Sequence, residues 1–209
     1  MTTDRDALGA AESFVARFEP VGGSPDLGLL TAAERARRER FVHARDRDAY
    51  AAAHLLARSC VAAFAGIAPG EVRFRQCCER CGGPHGRPVV VAPDGVHVSW
   101  SHTRGYVAAV AASAPCGIDV EAILDRDPPR RALTTAEESW IRGLPEPRAG
   151  FAELWVRKEA LIKAGLGTLG SIATLDVLAD DAPARGYRGV RLLGWSAPGF
   201  RGAVALTPA

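Results

Sequence analysis

Residues 151–165 read FAELWVRKEALIKAG and form the clearest helix signal in the chain. Trp155, Glu159 and Lys163 lie four residues apart and therefore share one face, while Ile162 can be buried beside them. Two interpretations stay open. Glu159 and Lys163 can form an ordinary surface ion pair beside a buried Trp155. Alternatively, Glu159 can serve a metal ion or a proton, and Lys163 a phosphate.

Outward from this helix, residues 117–121 read GIDVE and predict a β-strand. Asp119 and Glu121 are two residues apart, so their carboxylates point to the same face, whereas Ile118 and Val120 face the core. Adjacent carboxylates repel one another, and a cation such as Mg²⁺ is the usual relief. The alternative is a half-exposed strand with a solvated acidic face.

The rest of the chain alternates between helix and strand signals. Thr31 and Glu34 form a capping-box signature that opens a helical stretch from about Ala32 to Ala65. A further helix is predicted in residues 134–144, and strands with tight turns are predicted in residues 71–101, 105–121 and 175–206. The fold class is therefore α+β. We expect two similar helix-plus-antiparallel-sheet subdomains, residues 1–112 and 113–209, with a cleft between them.

The composition excludes several classes of protein. A net charge of +2, with 47% hydrophobic and 24% charged residues, is typical of a globular chain and not of a disordered one. No apolar run approaches the roughly 18 to 20 residues that span a bilayer, and acids near the N-terminus argue against a signal peptide. Acidic residues also interrupt the arginine-rich segment 34–48, which disfavours nucleic-acid binding. We therefore expect a cytoplasmic protein with no membrane or nucleic-acid partner.

The lysines of the chain are unusually placed. There are only two, Lys158 and Lys163, against 24 arginines, and both fall in the predicted helix of residues 151–165. Lysine is a compact point charge, whereas arginine presents a planar fork. This placement indicates a site that needs an ammonium group, such as a phosphate-binding site.

A cysteine-rich segment raises a separate question. Cys77, Cys78, Cys81 and His85 lie within nine residues, and Cys78, Cys81 and His85 could hold a structural Zn²⁺. No second CxxC pair occurs, so a reduced, tight turn is the favoured interpretation. An unrelated module organised around these cysteines, such as a zinc-dependent interaction domain, is a separate hypothesis, although retained zinc alone would show only a structural site.

Residues 99–102 read SWSH and put His102 just after a predicted strand, where it is either a ligand-binding or a hydrogen-bonded loop histidine. The segments SWSH, GIDVE and WVRKEALIK occur together in the order found in 4′-phosphopantetheinyl transferases of the surfactin-synthetase type, which this chain resembles. The resemblance extends to the helical region before residue 58 and to the GRP turn at residues 86–88. It covers residues 30–167, about two thirds of the chain.

The resemblance implies a pseudo-dimer with the active site in the cleft between the two subdomains, acting as a monomer. Enzymes of this type transfer the 4′-phosphopantetheine arm of coenzyme A to a serine of an acyl or peptidyl carrier protein and release 3′,5′-ADP. They serve pathways such as polyketide or nonribosomal peptide biosynthesis. The alternative is a non-catalytic module of the same fold that binds coenzyme A or a carrier protein.

The resemblance also implies the metal and catalytic residues. Asp119, Glu121 and Glu159 would hold Mg²⁺, or Mn²⁺ in its place. Glu159 would accept the serine proton, directly or through a water molecule. Lys163 and His102 would contact the pyrophosphate, so the implied catalytic residues are Glu159, Lys163 and His102.

A larger set of residues is implied for binding coenzyme A. Arg37 and Arg87 match basic positions expected at the 3′-phosphate. Arg58 also matches a basic position, with a structural role as its alternative. The complete expected set is Arg37, Arg87, Ser101, His102, Lys158 and Lys163.

Overall fold

The computed structural model describes residues 13–22, 26–78, 81–83, 86–125 and 130–208. The helices are α1 (Ala32–Arg38), α2 (Ala44–Ala65), α3 (Thr135–Arg142) and α4 (Pro147–Ala164). The strands of the first half, residues 1–112, are β1 (Phe14–Pro20), β2 (Arg73–Gln76), β3 (Pro88–Ala92), β4 (His97–Thr103) and β5 (Tyr106–Ala112). Those of the second half are β6 (Cys116–Ala122), β7 (Leu178–Ala179), β8 (Ala182–Pro183), β9 (Gly186–Tyr187), β10 (Val190–Ala197) and β11 (Phe200–Leu206).

Two larger antiparallel sheets organise most of these elements, and β2-β3 and β7-β8 form separate two-stranded sheets. The first has the strand order β1-β5-β4, and the second has the order β6-β11-β10-β9. The long helix α2 packs on β5 and β4, and α4 packs on β6 and β11. This mixture of helices and antiparallel sheets confirms the predicted α+β class.

The apolar side chains of the sheets form a core between the two halves. Ile118, Val120 and Val204 of the second sheet pack with Phe14 and Val110 of the first. Two further cores lie under the long helices, one beneath α2 and one beneath α4. The prediction that Ile118 and Val120 face a core is confirmed.

The helical stretch predicted from about Ala32 to Ala65 is divided into two helices. α1 ends at Arg38, and α2 begins at Ala44. Between them Phe41 packs on Tyr50, with ring centroids 5.4 Å apart. The Arg47 guanidinium donates to the carbonyl oxygens of Phe41 at 2.9 Å and Val42 at 3.3 Å, which satisfies groups that the break exposes. Tertiary packing therefore outweighs the helix propensity of this stretch.

Each half contains a short helix whose capping-box glutamate is paired with a cation of the next long helix. In the first half Glu34 of α1 accepts from Arg58 Nη2 of α2 at 2.8 and 3.0 Å. In the second half Glu137 of α3 accepts from Lys158 Nζ of α4 at 2.5 Å. These ion pairs fix the long helix against the short helix in each half.

The long helices of this fold pack on its sheets. No helix in the part of the chain that the structure describes has both the length and the apolar character needed to cross a membrane. The long helices α2 and α4 are buried on much of their surface, including the polar side chains of Arg58 in α2 and Lys158 in α4.

Candidate active site

The close contact between β6 and α4 assembles the candidate site. Gly117 of β6 permits this contact, because a Cβ atom there would overlap the backbone of Ala160 and Ala164 in α4. Side chains that follow Gly117 on the same face of β6 therefore lie beside the polar flank of α4. The charged residues brought together in this way are Asp119, Glu121, Glu159 and Lys163.

Asp119 is the buried centre of this group, with 3% of its surface exposed. Its Oδ1 atom accepts a hydrogen bond from Ser101 Oγ at 2.6 Å and another from Lys163 Nζ at 2.7 Å. Its Oδ2 atom is also buried but has no hydrogen-bond partner among the described residues. An unsatisfied buried acceptor costs about 1–3 kcal/mol, and more when it is charged. The Oδ2 atom is therefore suited to bind a cation.

The two glutamates of the site hold protons more tightly than usual. Burial and the neighbouring Asp119 carboxylate raise the pKa of Glu121 from 4.5 to about 7, although a hydrogen bond from Thr103 opposes the shift. Burial and Asp119 also raise the pKa of Glu159, while the Lys163 ammonium opposes that shift. The carboxylates repel one another when they are ionised, and a divalent cation between them would reduce this repulsion.

The oxygen atoms of this site fit Mg²⁺ in type. Mg²⁺ commonly binds one or two protein carboxylates and keeps water or substrate phosphate at its other positions. Within the described residues, however, no three His, Cys, Asp or Glu side chains are grouped as metal ligands. The acids therefore share a cleft without closing a cage, and the buried Oδ2 of Asp119 is the atom that supports the fit.

Lys163 links the acids to a cavity of about 340 Å³. Its ammonium donates to Asp119 Oδ1 and, at 3.1 Å, to the carbonyl oxygen of Ile118, which uses two of its three hydrogens. Arg87 and Trp100 line the same cavity. The Arg87 guanidinium also lies close to Gly165, which caps the C-terminal end of α4. The cavity therefore has two cations in its walls, as an anion-binding site requires.

A second cavity of about 230 Å³ shares Gln76 with the first. Arg37 and Arg75 line it together with Phe74. The positions predicted for Arg37 and Arg87 thus fall in neighbouring cavities. The sequence analysis did not select Arg75. The alternating pattern of β2 places Arg75 on the exposed face of the strand, and this basic, exposed position could have identified it.

The expected contact between Lys158 and an anion is wrong. Lys158 is fully buried, and its ammonium donates to Glu137 Oε2 at 2.5 Å and to the carbonyl oxygens of Ala132 and Ile172 at 2.8 and 3.2 Å. All three hydrogens are therefore used within the protein. Arg58 is likewise buried and bonded to Glu34, which favours its structural interpretation.

Ser101 and His102 lie within β4 and not in a turn after it, because β4 continues to Thr103 in its pairing with β5. Ser101, which was expected at the cofactor, instead donates its hydroxyl hydrogen to Asp119. His102 points to the opposite face of the strand. Partial loss of hydration and the charge of Lys163 lower the pKa of His102, so that the imidazole is neutral near pH 7.

The cysteines fall into two environments. Cys78 and Cys81 lie in a tight turn between β2 and β3 that is closed by backbone hydrogen bonds of 2.7 and 3.0 Å. His85, the third expected zinc ligand, is outside the described residues, so the zinc site stays a prediction. Cys60 and Cys116 are buried, and burial raises the pKa of each thiol to about 12. These two thiols are therefore unreactive core residues.

One family of known proteins matches part of the chain. Residues 115–194 match the sequence model of the ACPS family, described as the 4′-phosphopantetheinyl transferase superfamily. The matching segment begins just before β6 and ends in β10, so it includes the candidate residues Asp119, Glu121, Glu159 and Lys163. Among curated proteins, none matches the chain.

Proposed function

We propose that this chain transfers the 4′-phosphopantetheine arm of coenzyme A to a serine hydroxyl of an acyl or peptidyl carrier protein and releases 3′,5′-ADP. The family match of residues 115–194 supports this reaction class. One observation carries the assignment to this cleft. The buried, unpaired Oδ2 atom of Asp119 lies among acids with raised pKa values, next to a cavity that Lys163 and Arg87 line.

The surfactin-synthetase type is proposed from the arrangement of the two halves, residues 1–112 and 113–209. The strand orders β1-β5-β4 and β6-β11-β10 are equivalent, as expected for a pseudo-dimer. The acids and Lys163 come from the second half, whereas Arg87 and the strand β4 come from the first. One chain thus supplies both sides of the cleft, and the enzyme acts as a monomer.

Coenzyme A lies along the two adjoining cavities. Arg37, Arg75 and Arg87 bind the 3′-phosphate end, because guanidinium groups form paired hydrogen bonds with phosphate oxygens. Lys163 contacts the pyrophosphate with its remaining N–H donor. His102 is neutral near pH 7, so it contributes a hydrogen bond to the pyrophosphate and not a full charge.

The chemistry is a phosphoryl transfer to an alcohol. The serine oxygen forms a bond to the β-phosphorus of coenzyme A, and the bond from that phosphorus to the oxygen of 3′,5′-ADP breaks. Asp119, Glu121 and Glu159 would hold Mg²⁺ or Mn²⁺, which would neutralise pyrophosphate charge and stabilise the leaving group. Glu159 accepts the serine proton, directly or through water.

The second candidate is a non-catalytic module that binds coenzyme A or a carrier protein. Retention of all three acids beside Lys163 favours the enzyme, because binding alone does not need a base or a metal site. The expected partners are carrier-protein domains of polyketide or nonribosomal peptide synthases, and the expected place of action is the cytoplasm.

Intact-mass spectrometry of an apo carrier protein tests the proposal. The carrier is incubated with this chain, coenzyme A and Mg²⁺, with and without EDTA. A gain of one phosphopantetheine arm that EDTA abolishes is the expected result. No gain on several carrier types, with coenzyme A still bound in calorimetry, would instead support the binding module.

A further inference from the structure

Three hydroxyl side chains of β4 connect the two halves of the molecule. Ser99, Ser101 and Thr103 alternate along the strand, so they point to one face, towards β6. β4 and β6 belong to different sheets and do not pair through their backbones in the described residues. The Ser99 hydroxyl accepts from the backbone N–H of Ile118 at 3.3 Å, which starts the series of contacts.

The next two hydroxyls reach the two acids of β6. Ser101 Oγ donates to Asp119 Oδ1 at 2.6 Å, and Thr103 Oγ1 donates to Glu121 Oε2 at 3.2 Å. The two hydroxyl residues are two positions apart on β4 and the two acids are two positions apart on β6, so each acid has its own hydroxyl. Thr103 Oγ1 also accepts from the backbone N–H of Ala122 at 3.4 Å, which leaves its hydrogen directed at Glu121.

We propose that Thr103 is a positioning residue for Glu121, whose carboxylate it holds in the cleft beside Asp119 for binding of the divalent cation. This inference rests on the proposed function. Glu121 lies near the end of β6, is only partly buried and has a flexible side chain. The hydroxyl bond reduces the conformational entropy that Glu121 would lose on binding a cation.

The surroundings of Thr103 allow its positioning role to be tested separately from any support that it gives to the fold. Its side chain is only partly buried, and its bond to the backbone of Ala122 is long. Valine has nearly the same shape as threonine but no hydroxyl, whereas serine keeps the hydroxyl and loses a methyl group. The pair Thr103→Val and Thr103→Ser therefore distinguishes the hydrogen bond from packing.

The test measures the dissociation constant of Mn²⁺ alone, from the electron paramagnetic resonance signal of the unbound ion. Removal of a group that orients a metal ligand weakens metal binding about 10- to 100-fold, and Thr103→Val is expected to do so. Thr103→Ser should stay within about twofold of the wild type, because it can still donate to Glu121. Thr207→Val is the matched control, since the Thr207 hydroxyl bonds to Pro115 at the other end of β6.

Two further measurements separate the possible outcomes. Coenzyme A affinity without metal and the thermal midpoint should be unchanged in Thr103→Val, and the substitution should add no further loss in a Glu121→Gln background. Wild-type Mn²⁺ affinity in Thr103→Val, or an equal loss in Thr103→Ser, would overturn the positioning role while leaving the proposed transferase intact. A wild-type chain that binds no Mn²⁺ and transfers nothing would overturn both.

Discussion

Asp119 holds its two carboxylate oxygens in different surroundings. Oδ1 accepts from Ser101 and Lys163, whereas Oδ2 is buried without a partner among the described residues. The side chain cannot rotate to satisfy Oδ2 without moving Oδ1 away from both donors. Because buried polar atoms are nearly always hydrogen-bonded, Oδ2 is the carboxylate oxygen of Asp119 that is available to a cation.

Replacement of Asp119 by asparagine tests this atom directly. Asparagine has nearly the same shape, but its amide would present N–H groups or a neutral oxygen where the cation needs a carboxylate oxygen. Loss of such charge stabilisation lowers the rate about 100-fold or more, and we expect this for carrier-protein transfer with Asp119→Asn. Mn²⁺ binding should fall in parallel. Asp94→Asn, at an exposed carboxylate, is the control, and transfer at the wild-type rate in Asp119→Asn would remove the metal assignment.

Glu121 makes the stability of the metal-free protein depend on pH. Its pKa is raised from 4.5 to about 7, so the folded protein binds this proton more tightly than the unfolded chain does. The stabilisation is therefore fully present below pH 4.5 and is lost as the pH rises through about 7. At 1.36 kcal/mol per pKa unit, the loss is at most about 3 kcal/mol.

Glu121→Gln removes this dependence because glutamine stays neutral. In urea unfolding with a chelator present, the variant should gain free energy of unfolding relative to the wild type between about pH 5 and pH 8. Glu19→Gln is the matched control, since Glu19 has the equivalent position on β1 but is exposed. An equal pH dependence in all three proteins would mean that Glu121 is ionised normally.

The helix α4 carries two lysines with different surroundings. Lys158 is fully buried against Glu137 of α3, and Lys163 is partly exposed between Asp119 and a cavity. The five-residue spacing puts them on different sides of the helix, since each residue turns it by about 100°. One lysine therefore holds the helices together, and the other faces the candidate site.

The two lysine-to-methionine substitutions should affect different properties, Lys158→Met mainly the stability of the fold and Lys163→Met mainly the transfer activity. Lys158→Met leaves the Glu137 carboxylate buried without its counter-ion, which costs about 3–5 kcal/mol of unfolding free energy. Lys163→Met should cost less stability, because Asp119 keeps its bond from Ser101, but it should nearly abolish transfer. Urea unfolding and transfer rates on both variants measure this difference. A greater loss of stability in Lys163→Met would contradict the assigned roles.

The elements that the sequence predicted well are those with a local signal. GIDVE alternates with a period of two, and WVRKEALIK has charges four residues apart, so both β6 and α4 were predicted. At the break after Arg38, Phe41 packs against Tyr50, and this contact between two elements leaves no local mark in the sequence. The structural role of Lys158 was missed for the same reason, because the position of Glu137 relative to α4 is set by the fold.

At the scale of the whole molecule, the two halves repeat one plan without visible sequence repetition. Each has a strand, a short capped helix, a long helix and a closing antiparallel hairpin. The same structural task is done by different residues, such as Arg58 with Glu34 in one half and Lys158 with Glu137 in the other. The two halves thus share an order of elements and a similar ion pair, which a comparison of residue letters does not detect.

The core between the sheets makes the halves depend on one another. Phe18 of β1 stacks on Trp195 of β10, with ring centroids 4.6 Å apart, and Gly202 of β11 provides the space for the Phe18 ring. Ile118 and Val120 complete the apolar layer on the side of the second half. Separation of the halves would expose this layer to water, at about 25 cal/mol for each Å² of apolar surface.

We therefore expect that neither residues 1–112 nor residues 113–209 folds cooperatively alone. Each fragment, expressed separately, should show weak near-ultraviolet circular dichroism and no sharp urea transition, because a shared core cannot form from one side. The intact chain should unfold in a single transition that is the same by circular dichroism and by fluorescence. A fragment that unfolds cooperatively by itself would show that the halves are independent domains. The cleft between them would then depend on domain docking and not on one shared core.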